Sequence, residues 1–189
     1  MRVVWVLASV GLMFAWPWWA AGEEVTVAVP AVWKEQRLEF SYMGRTARYS
    51  CEGLREKVRS LLLDLGARRD LKIAVPACNE SDNPALRGYL GPRLSIVFSS
   101  PVLPDAAVQP LHAGDLSPVD AHYEPFTLTS DAFRNYGVGD CELVEDFVRQ
   151  ILPKLATREV KQDITCAPYQ GNGSRFFVHG EILRAARIP

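Results

Sequence analysis

The order cysteine, amphipathic helix, strand, cysteine occurs twice in this chain, and few folds accommodate that. The first copy opens at Ser50-Cys51-Glu52-Gly53-Leu54, runs to Leu65-Gly66, turns, and reaches Cys78 after the strand Leu71 to Val75. The second opens at Asp140-Cys141-Glu142-Leu143-Val144, runs to Leu155, turns, and reaches Cys166 after the strand Val160 to Thr165. A shift of 90 positions lays Cys51 on Cys141 (141 − 51 = 90), Glu52 on Glu142, Leu62 on Leu152, Leu65 on Leu155 and Arg68 on Arg158. The same shift lays Val29 on Val119, Ala31 on Ala121, Leu38 on Leu128 and Trp33 on Tyr123. Those upstream matches are not forced by helical periodicity, so the chain reads as an internal duplication. The closing cysteines need a shift of 88 (166 − 78 = 88).

Residues 1–22 read as an export signal. Arg2 is a short positive start, Val3 to Trp16 an apolar stretch too short to span a bilayer comfortably, and Ala20-Ala21-Gly22 a small-residue cleavage site. The mature chain is expected to begin at Glu23, with the bond after Ala21 as the alternative. After cleavage no transmembrane segment is expected, and the compartment is periplasmic or secreted. In such a compartment four cysteines read as two disulfides. Helix and strand lengths choose the partners. Residues 51–66 as helix and 71–78 as strand each span about 25 Å, so the strand ends level with the start of the helix. The same holds for 141–156 and 159–166. The expected bridges are Cys51–Cys78 and Cys141–Cys166.

Leu54, Val58, Leu61, Leu62 and Leu65 make one apolar stripe; Leu143, Val144, Val148, Ile151, Leu152 and Leu155 make the other. Ser50 and Asp140 are the expected N-caps, Gly66 the C-cap, and Pro153 predicts a kink or early end. Glu24 to Ala31 is expected to be a short strand or extended arm stopped by Pro30, and a hairpin is expected from 37–43 and 45–49. Further strands are expected at Leu94 to Phe98, Tyr123 to Leu128 and Phe176 to Leu183. The organisation is then a first repeat (23–100), a proline-rich linker (101–118) and a second repeat (119–189). The fold class expected is α+β: two strand-helix-strand repeats in a ferredoxin-like sandwich, mostly antiparallel, with both helices on one face and two disulfides. Two βαββ lobes joined by the linker are the alternative.

Net charge is −1, which excludes the basic surplus a nucleic-acid binder needs. Charge divides unevenly, however. Val29 to Lys72 holds ten basic against six acidic residues, and Val119 to Gln162 five against eight. The copies are therefore expected to present faces of opposite sign.

No motif assigns chemistry. Cys51 and Cys141 sit at helix starts but in no Cys-x-x-Cys pattern, and the cysteine spacings do not suit zinc. His112, His122 and His179 pair with no nucleophile in a known pattern, and the glycine pairs at 137/139 and 171/173 lack the lysine of a phosphate loop. Asn79 and Asn172 open N-glycosylation patterns that matter only in a eukaryotic secretory pathway. No catalytic residue, metal or cofactor is expected; the site residues are the cysteines Cys51, Cys78, Cys141 and Cys166.

Ser41-Tyr42-Met43-Gly44, Tyr49-Ser50-Cys51-Glu52-Gly53-Leu54 and Leu65-Gly66-Ala67-Arg68 resemble a family of small exported proteobacterial proteins with no assigned activity. The resemblance is best over the first repeat and reaches the second through Asp140 to Val144. It implies a periplasmic or secreted bacterial protein and supplies no catalytic residues. The function expected is exported, non-enzymatic binding or envelope support, with a protein or small-molecule partner. The alternative is a small secreted or periplasmic enzyme whose site is assembled only in the fold.

Overall fold

The computed structural model describes residues 28–77, 93–104, 117–130, 136–168 and 173–186. Residues 1–22, read as an export signal, and Cys78, His112, Asn79, Asn172 and most of the linker lie outside the described residues. The element order is β1 (Val29–Ser41), α1 (Cys51–Asp64), β2 (Lys72–Ala77), β3 (Arg93–Val102), β4 (Pro118–Thr129), α2 (Cys141–Gln150), β5 (Thr157–Thr165) and β6 (Arg175–Ala185). All six strands join one sheet in the order β2-β3-β1-β4-β6-β5, and every ladder is antiparallel.

This corrects the ferredoxin-like expectation. The order strand, helix, strand, strand occurs twice, and in each half the last strand inserts between the first two. The apolar strands claim the interior positions. β3 buries Leu94, Ile96 and Phe98 to 1% exposure or less, whereas β2 carries Lys72 and Pro76, which suit an edge. The halves are not separate lobes, because one core cluster contains α1, α2 and strands of both.

Even-numbered positions of the four inner strands face the helices. Phe40 pairs with Leu94, Leu38 with Ile96, and Leu128 with Val178. Onto them α1 lays Leu54, Val58, Leu61 and Leu62, and α2 lays Leu143, Val144 and Phe147. On the opposite face Ala31, Ala121 and Leu183 form a small second cluster with Val29, Val119, Tyr123 and Ala156.

Local chemistry sets the boundaries. The Ser50 hydroxyl accepts from Gly53 N at 3.1 Å, capping α1. Gly66, at φ +85°, closes it with the paired bonds Ala67 N to Leu62 O and Gly66 N to Leu63 O. α2 stops at Gln150 and continues as a short 3-10 turn (Leu152–Lys154) through Pro153, which has no amide to offer Arg149. Asp140 precedes α2 but does not cap it by side chain; its carboxylate accepts from Gly137 N at 2.8 Å instead.

Two strand expectations need correction. Pro30 does not end a strand. Trp33 N donates to Ser117 O, so the rungs to β4 fall on odd residues and Pro30 faces Asp120 as a non-hydrogen-bonded pair. On its other side β1 pairs with β3 only from Val32, so the missing amide breaks no rung. The hairpin over 37–49 does not form either. β1 runs unbroken to Ser41, and Tyr42 then folds back over Gly44 and donates to Ala47 O at 2.7 Å.

The described residues hold one complete disulfide, Cys141–Cys166 (Cα–Cα 5.6 Å), not the two expected. Cys51 is also disulfide-bonded, and the expected Cys51–Cys78 bridge falls outside the described residues. Both edge strands carry a bulge, between Ala74 and Ala77 in β2 and between Arg158 and Lys161 in β5. Gly180 admits the second of these, since a Cβ there would lie 3.0 Å from Arg158 O and from Val160 Cα. Among the described residues no helix is long and apolar enough to cross a membrane.

Candidate functional site

The densest polar constellation lies where the two halves meet, along α2. Glu142, Asp146 and Gln150 stand four residues apart and so share one helix face. Against them lies the segment after β1. Ser41 N donates to Gln150 Oε1 at 3.0 Å, Met43 N to Asp146 Oδ2 at 3.3 Å, and Arg45 N to Glu142 Oε2 at 2.6 Å. Thr46 N adds a second bond to Glu142 at 2.8 Å, and Gln150 Nε2 returns one to Ser41 O at 2.9 Å. The match is metric. Four helical residues rise about 6 Å and two extended residues about 6.7 Å, so every fourth side chain of the helix meets every second amide of the segment. The side chains of α2 thus take the place of a partner strand.

Asp140 extends the contact. Its buried carboxylate accepts from the Tyr49 hydroxyl and pairs with Lys57 Nζ at 2.9 Å, both from the first half. Tyr136 donates to Asp64 Oδ2 at 3.0 Å, and Lys57 lies over its ring. Burial pushes the Tyr42 and Tyr49 phenols well above their ordinary range; for Tyr42 the Glu142 and Asp146 charges add to it, and for Tyr49 the Asp140 bond and charge. Burial also raises Tyr136, with Asp64 adding to it and a Ser60 bond opposing. Asp146 is raised by burial too, partly offset by the Met43 amide and Arg149. These tyrosines are donors held neutral, not phenolate bases or nucleophiles.

The sequence-singled histidines separate. His122 meets Glu124 at 2.7 Å. Glu124 also faces Arg184 Nε at 3.1 Å, and the Arg184 guanidinium reaches the Asp64 carbonyl at the end of α1, where a cation complements the helix dipole. His179 lies on the helix-free face, its ring 5.0 Å from that of Phe177. Among the described residues no group of three or more His, Cys, Asp or Glu could hold a metal ion. A shallow cavity of about 90 Å³ lies between Glu35, Arg68, Asp70, Lys72 and Ser99.

The helix-free face has its own pattern. Arg68 stacks over Trp33 at 5.5 Å, and Arg158 over Tyr123 at 3.9 Å. Each arginine also meets a carboxylate, Asp70 at 2.8 Å for Arg68 and Glu181 for Arg158. All four aromatic and arginine positions match between the two copies in sequence, but nothing in the sequence pairs aromatic with arginine. The α2 stripe carries no such signal, because a polar helix face alone reads as solvated.

No protein-family model, curated protein or solved structure matches this chain.

Proposed function

We propose that this is an exported, non-enzymatic protein that binds a protein partner through the helix-free face of a duplicated βαββ scaffold. The observation that carries the reading is the composition of that face. It displays Trp33 under Arg68, Tyr123 under Arg158, and Phe177, 47% exposed, against His179. Aromatic and arginine side chains are the residues enriched in protein interfaces and in their energetic centres. Export rests on residues 1–22 and fits an oxidised Cys141–Cys166 pair. The resemblance to exported proteobacterial proteins points to the cell envelope as the place to look.

The test is affinity capture from the native envelope fraction with mature wild-type protein and with Phe177→Asp, which changes an exposed side chain. A protein retained by the first and lost from the second, at equal circular dichroism, supports the reading. Equal retention by both, or retention of none, counts against it.

A further inference from the structure

The ladder at the centre of the sheet obeys the same shift as the sequence. Pro30 pairs with Asp120, and 120 − 30 = 90. Val29 pairs with Ala121 and Ala31 with Val119, so the shift exchanges these two pairs. A pseudo-twofold axis therefore passes between a residue and its own counterpart. The outer ladders agree. Ala77–Arg93 corresponds to Thr165–Arg175, with 165 − 77 = 88, the offset of the closing cysteines, and 175 − 93 = 82, the offset that also carries Ile96, paired with Leu38, onto Val178, paired with Leu128. The two stacked pairs, Trp33 with Arg68 and Tyr123 with Arg158, also exchange under the shift of 90.

An interface in which a patch meets its own counterpart about a twofold axis is that of a dimer, here within one chain. Its side chains are duplicated only in part: Glu142 has Glu52 as its counterpart, and Asp146 has Glu56. Where the second half offers Asp140 and Gln150, however, the first has Ser50 and Ser60; where the first offers Lys57, the second has Phe147. Donors come largely from one half and acceptors from the other.

We propose that the seam is a subunit-type interface specific for unlike halves: the second half of another copy fits the first half as its own does, and the connecting chain is not needed to hold them. Pairing of like halves is disfavoured by the loss of the Asp140–Lys57 pair. Two second halves would set Asp140 against Phe147 instead of Lys57, and two first halves would set Lys57 against Ser50 instead of Asp140. This does not depend on what the protein binds.

A protease site placed within residues 105–116 of the full chain tests it after folding. Cut protein should keep the mass of the intact chain by light scattering at micromolar concentration, and its fragments should separate in non-reducing denaturant. Refolding cut protein mixed with an isotopically labelled copy should give pairs with one half from each. Glu142→Ala with Asp146→Ala should weaken pairing tenfold or more. Fragments that fall apart at micromolar concentration, or that pair like with like, overturn the proposal. Should the inserted site block folding, two full-length chains carry the test, Lys57→Asp and Asp140→Lys. Refolded together they should give a mixed dimer that neither gives alone, since both of its seams join opposite charges. No mixed dimer, or equal dimer from each alone, overturns the proposal.

Discussion

Single residues decide how the segment after β1 is held. Tyr42 is 2% exposed, and its ring covers Gly44 so closely that a Cβ there would lie 1.8 Å from the phenol oxygen. Gly44→Ala must displace that ring from the Ala47 carbonyl, and overpacking of this kind costs about 1–3 kcal/mol. A lowered urea midpoint with an unchanged slope would show it. The buried phenols set an alkaline limit. Tyr42, Tyr49 and Tyr136 have folded-state pKa values raised above the ordinary value of about 10. An acid whose folded pKa is raised contributes stability that is present below its unfolded pKa and lost as pH rises above it. Of the six tyrosines, these three should therefore ionise late and together with unfolding. Ultraviolet titration at the phenolate band, followed beside circular dichroism, checks this; early ionisation of all six would contradict it.

At the scale of elements, the stripe on α2 does what a strand edge does elsewhere. Glu142→Ala leaves the amides of Arg45 and Thr46 without their acceptor and should cost about 1–3 kcal/mol. Hydrogen exchange should localise the loss to residues 43–46. Removing the bridge with Cys141→Ala and Cys166→Ala should cost about 3 kcal/mol, because the unfolded chain regains the loop between them, and thermal melting in non-reducing buffer measures it. Much at this scale was legible in the sequence. Both helices, the Ser50 cap, the Gly66 terminus, the early end at Pro153 and the Cys141–Cys166 pairing follow from local chemistry and element length. What was not legible depends on distant partners. Alternation at Leu38, Phe40 and Tyr42 suggested a hairpin, but Tyr42 turns back on its own loop. Glu142, Asp146 and Gln150 lie about a hundred residues from the segment they hold, and nothing near them in sequence announces it.

Across the whole molecule, the ferredoxin-like expectation failed on strand order, and on the returning strand of 45–49, which does not form. Leu94 to Phe98 and Phe176 to Leu183 read correctly as apolar strands, but periodicity does not say which strand takes the interior. Burial does: such strands need cover on both sides, and the charged or bulged β2 and β5 go to the edges. The uneven charge of the two halves does not simply give two faces of opposite sign. Much of it is matched within a half, as in Arg68 with Asp70 and Arg158 with Glu181, while acceptors of the second half hold backbone amides of the first. The account's central claim is that the two halves join in one sheet about Pro30 and Asp120. In a non-hydrogen-bonded antiparallel pair the two α-protons face each other at close range. The most direct test is the nuclear Overhauser effect between the α-protons of Pro30 and Asp120. A strong cross-peak is predicted; its absence, with Val29 to Val32 showing no contact to residues 118–121, would contradict the account.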